Sequence, residues 1–481
     1  MRKWRSKRWQ RRMALKLDYN YMMSEFIGEE HGIQEKDLTG LSEIAGKIHF
    51  DLKEKRETGR IGFFDLPYDR ETIQKIIDFA KPALKRYENV VVLGIGGSCL
   101  GARALHTALV GGWWANLAGR KKRGRIPRFF FADNVDPDGF SRLLDAVEPK
   151  KTLFLAISKS GTTAETMSQF LIVHKLLTDG VGKKRIADHL VVLTDAQQGR
   201  LRNIVDREGL TDFIIPDNVG GRFSVFTPVG LLPAALMGIE IEQLLAGAAA
   251  MDQRTSRANF LSNPAYLAAA LLFLADRMKG KKITVMMSYS DALWEVTDWF
   301  RQLWAESLGK KETLSGSEVF TGLTPVKALG VTDQHSQTQL YMEGPFDKVL
   351  IFLALESFAS QVPIPALYTE LGDVHYLGGH TMEQLFNAER LATEYALASA
   401  SRPSLTIHLP EVNPFTVGQL LYLLEVQTAF AGGLYNINPF DQPGVELGKH
   451  FTYGLMGRPG YSDKLEEFDR REPKKDKYIL R

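Results

Sequence analysis

Short apolar runs rich in β-branched and aromatic residues alternate with helical stretches along most of this 481-residue chain. Four such runs lie in the first half: NVVVLGIGG (89–97), RFFFADNV (128–135), KTLFLAIS (151–158) and HLVVLTD (189–195). Strands that alternate with helices form βαβ units, which pack into a parallel sheet covered by helices on both faces. The alternation therefore predicts an α/β fold with mainly parallel sheets.

The alternation pauses at residues 220–280, where apolar helical sequence dominates, and then resumes. The later runs are KITVMMSYS (282–290), KVLIFLAL (348–355) and SLTIHLP (404–410). Two groups of runs predict two doubly wound α/β domains in tandem, with helical N- and C-terminal extensions. The predicted divisions are a basic leader (1–12), an N-terminal helical segment (13–60), a first domain (61–245), a second domain (246–435) and a C-terminal arm (436–481).

The leader, MRKWRSKRWQRR, carries seven Lys or Arg and no acid. The formal net charge of +3 depends on it, because residues 13–481 hold 53 basic and 57 acidic side chains, a net charge of −4. A basic arm can bind nucleic acid or anionic lipid, but the rest of the chain has no such pattern. We predict that residues 1–12 are disordered or not native, with a mitochondrial presequence as the remaining alternative, and expect no nucleic-acid partner.

Cysteine content and hydropathy restrict the compartment in which the chain works. A single cysteine, Cys99, excludes an intramolecular disulfide and fits a reducing cytosol, so we expect a cytoplasmic protein. The longest strongly apolar run, residues 266–275, is far shorter than the ~20 residues that span a bilayer. We therefore expect no membrane partner.

SKSGTTAET (158–166) joins a predicted strand to a predicted helix. It presents hydroxyls at Ser158, Ser160, Thr162 and Thr163 beside Lys159. Hydroxyl donors, a cation and a helix N-terminus together suit a phosphate dianion. The alternative is a simple helix cap, since 162 and 165 have capping-box spacing, although a cap needs only one hydroxyl. Without a Walker pattern, the expected ligand is a phosphorylated metabolite rather than a nucleotide.

GIGGSCLG (94–101) also follows a strand and opens a helix, a geometry in which backbone N–H groups bind anions. It departs from the dinucleotide fingerprint, because its sixth position is Cys99 rather than Gly or Ala. A contact to phosphate or sugar through Ser98 is the favoured interpretation, and a tight strand-to-helix turn is the alternative.

The stretch 294–311, WEVTDWFRQLWAESLGKK, has the pattern of an amphipathic helix that ends at Gly309. Gln302 and Glu306 are four residues apart and so share a face. Glu306 would lie in the last turn, where the helix dipole disfavours a carboxylate's charge and so favours its use as a general base. The alternative is a surface glutamate at a helix end.

His335 lies in DQHSQTQL (333–340), among polar residues that do not suggest a core histidine. A lone histidine is nevertheless more often structural than catalytic. The sequence has no HEXXH motif, no convincing zinc-ligand spacing and no GXSXG elbow. We therefore expect no metal site and no serine nucleophile.

NINPFDQPGVELGK (436–449) combines two prolines with Gly444 after an apolar helical run. Prolines lock φ and glycine relaxes the turn, so the backbone here is strongly restricted. The restriction suits a segment that holds Gln442 and Lys449 at fixed positions in a site. A rigid surface turn is the alternative.

Taken together, seven ordered blocks resemble the glucose-6-phosphate isomerase family in its shorter bacterial form. They are GIGGS (94–98), SKSGTTAET (158–166), VGGRFSVFTPVGLLP (219–233), QLWAESLGK (302–310), DQHSQTQLYMEGP (333–345), GGHTMEQLFNAE (378–389) and INPFDQPGVELGK (437–449). The resemblance covers roughly residues 40–455, and residues 1–12 lie outside the family pattern. The phosphate loop reads SKSGTT where the animal type reads SKTFTT, which keeps the hydroxyls.

The resemblance implies two sugar-isomerase domains and reversible aldose–ketose isomerisation of glucose 6-phosphate and fructose 6-phosphate in glycolysis and gluconeogenesis, without a cofactor. It also implies a homodimer or larger assembly with active sites near the subunit interface and a histidine loop supplied by the neighbouring chain. By motif position the implied roles are phosphate binding by Ser158, Lys159, Ser160 and Thr163; sugar contacts by Gly97, Ser98, Gln302 and Gln442; proton transfer by Glu306; charge stabilisation by Arg222; and ring opening by His335 and Lys449.

Three alternatives of other kinds stay open at this point. A non-catalytic sugar-phosphate sensor would keep the SKSGTT loop without needing Glu306, Arg222, His335 and Lys449 together, and would usually carry a helix-turn-helix. A dehydrogenase is disfavoured by the broken glycine fingerprint. An amidotransferase isomerase domain would lack the INPFDQPGVELGK block.

Overall fold

The computed structural model describes residues 3–480, within which the strands form two five-stranded sheets and one two-stranded hairpin. The strands are β1 (Lys16–Asp18), β2 (Asn89–Leu93), β3 (Arg128–Ala132), β4 (Thr152–Ile157), β5 (Leu190–Thr194), β6 (Thr211–Ile214), β7 (Ile283–Ser288), β8 (Lys310–Glu312), β9 (Glu318–Thr321), β10 (Thr324–Leu329), β11 (Lys348–Leu355) and β12 (Ser404–Leu409). The predicted α/β class with mainly parallel sheets is confirmed. The domain boundaries drawn from the sequence remain a prediction.

The first sheet has the strand order β3-β2-β4-β5-β6, and all its pairs are parallel. Every residue of β2, β4 and β5 is buried, as expected for strands covered by helices on both faces. The chain leaves β2 toward β3 on one side and returns to β4 on the other. The strand order thus reverses between β2 and β4, and ligands of such sheets bind at the carboxyl ends of strands at this point.

The second sheet has the order β1-β12-β11-β7-β10, with parallel pairs except for β1, which runs antiparallel to β12. Strand β1 comes from residues 13–60, which the sequence predicts to be helical. That prediction is incomplete: the segment is mostly helical, but three of its residues extend the second sheet at one edge.

The helices of the N-terminal part and first sheet are α1 (Lys7–Arg12), α2 (Ser24–Ile27), α3 (Glu35–Thr39), α4 (Ser42–Glu57), α5 (Arg70–Arg86), α6 (Leu100–Val110), α7 (Trp113–Leu117), α8 (Arg120–Arg123), α9 (Pro137–Asp145), α10 (Ala164–Val181) and α11 (Arg200–Glu208). The later helices are α12 (Pro228–Leu236), α13 (Ile241–Thr255), α14 (Pro264–Lys279), α15 (Trp294–Leu308), α16 (Thr338–Glu343), α17 (Gly372–His375), α18 (Met382–Ser399), α19 (Pro414–Leu434), α20 (Glu446–Leu455) and α21 (Ser462–Asp469). Across residues 3–480, none of these helices has both the length and the apolar character required to cross a membrane.

The structure places residues 3–12 of the basic leader in two short helical segments, which differs from the predicted disorder, and the other interpretation, that residues 1–12 are not native, stays a prediction. Lys3–Arg5 form a 3-10 turn and lead into α1. The Trp9 ring contacts the Phe415 ring edge-on at a centroid distance of 5.2 Å, and Arg5 lies 3.6 Å from a Glu242 carboxylate oxygen. The first two residues of the leader, and residue 481 of the predicted arm, lie outside the described part.

Helix α19 is the central helix of the core, with nearly all its residues buried. It packs most closely on α13, because two glycines face the partner backbone. A Cβ at Gly418 would overlap the Leu244 carbonyl, and a Cβ at Gly247 would overlap the Phe415 carbonyl. Only glycine permits this approach. Since α19 ends at Leu434, the core also determines where residues 436–442 begin.

A buried carboxylate, Asp252, joins four segments behind this core. It accepts hydrogen bonds from Arg56 at 2.8 and 3.2 Å, from the Tyr68 hydroxyl at 2.7 Å and from the Tyr422 hydroxyl at 2.7 Å. Burial acts to raise the pKa of Asp252, but the hydrogen bonds and charge of Arg56 and the two tyrosines outweigh it and leave the pKa below its ordinary value. The network attaches α4 and the turn at Phe63–Tyr68 to α13 and α19.

We predict that Asp252→Asn lowers the apparent free energy of unfolding at pH 7 by about 3 kcal/mol, because the partly buried Arg56 loses its charged partner. A carboxylate with a lowered folded pKa stabilises the fold above its unfolded pKa and ceases to do so as the pH falls through the folded value. The difference from wild type should therefore shrink below about pH 4. Urea titrations of both proteins measure it, with the exposed Asp51→Asn as matched control. Equal wild-type and Asp252→Asn midpoints at pH 7 would contradict the assignment.

Candidate active site

Two glycine- and serine-rich loops lie side by side at the carboxyl ends of β2 and β4, where the strand order reverses. The first is the turn at Gly96–Ser98, and the second runs from Ser158 to Thr163. Because β2 and β4 are adjacent parallel strands, both predicted ligand loops emerge at one edge of the sheet. The structure thus brings these two sequence-predicted elements together.

The second loop presents a cluster of hydroxyls at the start of α10. Thr163 Oγ1 lies 3.0 Å from Ser158 Oγ and 3.3 Å from Ser160 Oγ. Thr163, not Thr162, is the N-cap residue, and its side chain makes no capping hydrogen bond. The capping-box alternative is therefore wrong, and the first N–H groups of α10 are not capped by that side chain. Uncapped N–H groups with clustered hydroxyls are suited to a phosphate dianion.

Lys159 directs its ammonium group away from this hydroxyl cluster. Its Nζ donates to the backbone carbonyls of Asp217 at 2.6 Å and Val219 at 2.8 Å. Burial lowers the pKa of Lys159, opposed by the carboxylates of Asp217 and Asp195. In this arrangement Lys159 fastens the Ser158–Thr163 loop to the segment that leads into Arg222, while its backbone stays in the loop.

Gln302 and Glu306 lie near the C-terminal end of α15, and the predicted shared face is correct. Gln302 Nε2 donates to Glu306 Oε2 at 3.0 Å. Helix α15 packs against α6, which follows the first glycine loop. A Cβ placed on Gly96 would lie 3.0 Å from Gln302 Nε2, so the glycine loop and this face of α15 are in direct proximity.

Arg222 connects these elements to the start of the C-terminal arm. Its side chain is only 2% exposed. Nε donates to Ser307 Oγ at 2.7 Å, Nη1 donates to Gln442 Oε1 at 2.9 Å, and Nη2 donates to the carbonyls of Pro439 at 2.5 Å and Asp441 at 3.0 Å. Glu306 Oε2 lies 3.7 Å from Nη1. Burial lowers the pKa of Arg222, while the charges of Glu306 and Asp441 oppose that shift.

The backbone beside Arg222 also contacts the first glycine loop. A Cβ on Gly97 would overlap the Gly221 carbonyl and lie 2.8 Å from the Arg222 backbone nitrogen. Ser224 Oγ in turn donates to the Gly97 carbonyl at 3.3 Å. Gly97 is therefore required for two backbone segments to meet, and this contact positions the neighbouring Ser98.

Sequence reasoning missed two side chains of this cluster, Ser307 and Lys310. Ser307 is fully buried beside Arg222. Lys310 Nζ donates to the carbonyls of Glu306 at 2.8 Å and Asp441 at 2.6 Å. In the sequence Lys310 is one of two basic residues at a helix end. Only its place inside the QLWAESLGK block indicates that it belongs to the site.

Lys449 has its polar contact outside the Arg222–Glu306 cluster. It is on α20, its side chain is 48% exposed, and its Nζ forms an ion pair with Glu446 at 2.8 Å. Helices α20 and α21 pack mainly on each other, with the rings of Phe451 and Phe468 at a centroid distance of 6.3 Å. Within residues 3–480, no hydrogen bond or ion pair joins Lys449 to the other candidate residues.

His335 is exposed and follows the turn after β10, at the carboxyl edge of the second sheet. The preceding Thr332 lines a cleft together with Trp294 and Glu295, at the N-terminal end of α15. Glu306 lies twelve residues further along that helix, about 18 Å at 1.5 Å per residue. His335 and Glu306 of one chain are therefore at opposite ends of α15.

The chemistry available to the cluster is acid–base chemistry on an anionic ligand. A hydroxyl-lined helix N-terminus accepts an anion, and a carboxylate with a neighbouring buried guanidinium can move a proton while the cation stabilises negative charge. Among the described residues, no group of three or more His, Cys, Asp or Glu side chains is arranged to hold a metal ion.

Comparison with known proteins places this geometry in a family. The family model described as phosphoglucose isomerase matches residues 71–354 and 376–472. A glucose-6-phosphate isomerase of Carboxydothermus hydrogenoformans is 50% identical over 457 residues, which cover 95% of this chain and 97% of that protein. A glucose-6-phosphate isomerase of Rubrobacter xylanophilus is 45% identical over 401 residues, covering 83% of this chain and 90% of that protein.

Two solved structures share the fold. A crystal structure of a hypothetical protein from Thermus thermophilus matches with a TM-score of 0.82 and 39% identity, covering 92% of this chain and 100% of that one. A glucose-6-phosphate isomerase from Chlamydia trachomatis matches with a TM-score of 0.78 at 22% identity, covering 96% and 94% of the two chains. The resemblance drawn from the seven sequence blocks is confirmed, and the chain belongs to the phosphoglucose isomerase family.

Proposed function

We propose that the protein catalyses the reversible isomerisation of glucose 6-phosphate and fructose 6-phosphate, a step of glycolysis and gluconeogenesis. The observation that carries the proposal is the position of the Glu306 carboxylate, hydrogen-bonded to Gln302 and 3.7 Å from the buried Arg222 guanidinium. Membership of the phosphoglucose isomerase family supports the same reaction. Nothing observed favours the sensor alternative, in which this carboxylate–guanidinium pair would have no use.

The substrate phosphate binds at the N-terminus of α10 in this proposal. Ser158, Ser160 and Thr163 supply hydroxyl donors, and the uncapped N–H groups of α10 add the positive end of the helix dipole. Lys159 contributes through its backbone, since its ammonium group is held by two carbonyls. Gly97, Ser98, Gln302 and Gln442 then contact the sugar.

Glu306 transfers the proton in the isomerisation step. Its carboxylate removes the proton from C2 of the open-chain aldose, and the electron pair forms the cis-enediolate as the C1 carbonyl oxygen becomes negative. The proton of the C2 hydroxyl passes to the C1 oxygen, and the same carboxyl group then returns its proton to C1 as the C2 oxygen becomes the ketone. Arg222 stabilises the negative charge of the enediolate, because a fixed cation in a water-poor site interacts strongly with developing charge.

Ring opening precedes this step and uses His335 and Lys449. His335 gives a proton to the ring oxygen as the bond from that oxygen to C1 breaks. The anomeric hydroxyl passes its proton to the resulting neutral imidazole, while Lys449 polarises the adjacent oxygen. Lys449 lies seven residues beyond Gln442, on the helix that continues the same arm. His335 of the same chain is at the far end of α15, which supports supply of this histidine by a partner subunit.

We therefore propose a homodimer in which each active site contains Glu306, Arg222 and Gln442 of one chain and His335 of the other. The exposed position of His335 is the feature that favours this arrangement. We also propose a cytoplasmic location, which the single cysteine favours, and we retain the five sequence divisions as the domain organisation.

Glu306→Gln should lower kcat for fructose 6-phosphate about 10²- to 10⁴-fold, because the amide keeps the size of the side chain but cannot accept the C2 proton. KM should change little, since the phosphate site is unaltered. A coupled assay that detects glucose 6-phosphate, run without added metal, measures both constants. Glu312→Gln, at an exposed strand position, is the matched control. Near-normal turnover by Glu306→Gln would refute its role as base, and no turnover by folded wild-type protein would refute the isomerase function.

Mixing two inactive variants tests the shared site. His335→Asn and Glu306→Gln proteins, unfolded and refolded together, form hybrid dimers in which one of the two sites has both native groups. A statistical mixture should regain about a quarter of wild-type activity. Each variant refolded alone is the control. If the mixture stays as inactive as the separate variants while hybrids form, His335 acts within its own chain.

A further inference from the structure

Lys310 is a buried cation between the end of α15 and the C-terminal arm. Its side chain is 6% exposed. Nζ donates to the carbonyls of Glu306 at 2.8 Å and Asp441 at 2.6 Å, and it lies 3.5 Å from Asp441 Oδ1. A buried ammonium group is costly unless its N–H groups are bonded, so these acceptors restrain the segments that carry them.

We propose that Lys310 is a positioning residue of the isomerase site, which clamps the end of α15 onto residues 439–442 and so sets Gln442 and Arg222 relative to Glu306. This inference rests on the proposed isomerase function. Lys310 itself touches none of the atoms that react; it acts through the carbonyls of Glu306 and Asp441.

The Asp441 carbonyl is the point where the two buried cations meet. It accepts from Lys310 at 2.6 Å and from Arg222 at 3.0 Å, and the next residue along the chain is Gln442. Burial and then the Arg222 charge lower the pKa of Lys310, while the charges of Asp441 and Glu306 oppose that shift. Two neighbouring cations are thus held together by a shared carbonyl acceptor and two nearby carboxylates.

The arm leaves the core just after Phe440, whose ring lies 5.3 Å from the Phe223 ring between centroids. Residues 441–449 are exposed, whereas Ile437 and Pro439 before them are buried. Apart from Lys310, which is the first residue of β8, the β8–β9 hairpin holds the beginning of the segment through the Leu314 N–H, which donates to the Asn436 carbonyl at 2.9 Å. At Asp441 the backbone carbonyl is held by Lys310 and Arg222, and the side chain accepts from Asn438 Nδ2 at 2.8 Å. Lys310 is therefore placed to determine where the arm leaves the core and how Gln442 faces the site.

Lys310→Met removes the charge and the N–H donors but keeps most of the side-chain volume. We expect kcat for fructose 6-phosphate to fall about 10- to 100-fold, since small displacements of positioned groups have effects of this size. KM should change less than the rate does, because the contacts of Lys310 are to Glu306 and Asp441 and not to residues 158–163. Lys311→Met is the matched control: Lys311 is the adjacent residue, has an exposed side chain and pairs with Glu318 at 3.0 Å, and its loss should leave kcat unchanged.

Two further measurements separate positioning from a general structural role. In Lys310→Ala, n-propylammonium replaces the missing part of the side chain and should raise kcat with increasing concentration. In the Gln442→Ala background, Lys310→Met should cost a smaller fold-loss than in wild type, because residues that act through one segment are not additive. Equal fold-losses in both backgrounds would overturn the proposal, as would normal kcat in Lys310→Met.

Failure of the positioning role of Lys310 can be distinguished from failure of the proposed isomerase function. If wild type isomerises fructose 6-phosphate, Glu306→Gln does not, and Lys310→Met matches wild type, only the positioning role is lost. If wild type is folded and inactive, the proposed function fails first. Should Lys310→Met not fold, Lys310→Ala refolded with n-propylammonium replaces it, and a folded protein whose kcat does not respond to the amine overturns the inference.

Discussion

The site depends on the hydrogen bonds that the buried Arg222 guanidinium donates. A cation at 2% side-chain exposure is tolerable only when its N–H groups find acceptors, and the chain supplies them from two distant segments: Ser307 on α15 and residues 439–442 of the arm. Two of those acceptors are backbone carbonyls of the arm. The bonds from Arg222 to these carbonyls therefore do not depend on the side chains of the arm. The same cation remains within 3.7 Å of Glu306.

Close backbone packing around Arg222 makes the site an extension of the core. Gly97 meets the Gly221 carbonyl, and Gly418 and Gly247 allow α19 and α13 to touch. Helix α19 ends directly before residues 436–442, so the packing of the core sets the direction in which the arm starts. The loops after β2 and β4, the end of α15 and the end of α19 therefore converge because of helix and sheet packing, with the polar contacts added at their meeting point.

Local pattern predicted the parts of this arrangement that are themselves local. The runs at β2 and β4 predicted the strands and their loops, and the four-residue spacing of Gln302 and Glu306 predicted their shared face, on which the two side chains are hydrogen-bonded. The remaining features could not be predicted, because they depend on contacts between residues far apart in the sequence. Strand β1 has only three residues and pairs with β12 nearly 400 positions away, and the leader is ordered by Trp9 on Phe415. The sequence indicates only a cation at a helix end for Lys310, because its bond to the Asp441 carbonyl joins residues 131 positions apart.

The structure divides the candidate residues into two groups with different physical constraints. Glu306, Arg222, Gln302 and Gln442 are connected by hydrogen bonds and charge within one chain, which suits groups that must face developing negative charge without reorganising. The groups proposed for ring opening, His335 and Lys449, are exposed and lie on segments with few contacts to that cluster. Proton transfer between C1 and C2 needs a preorganised field, whereas ring opening needs an acid and a cation brought to a substrate that is already bound. A preorganised centre combined with exposed groups satisfies both requirements.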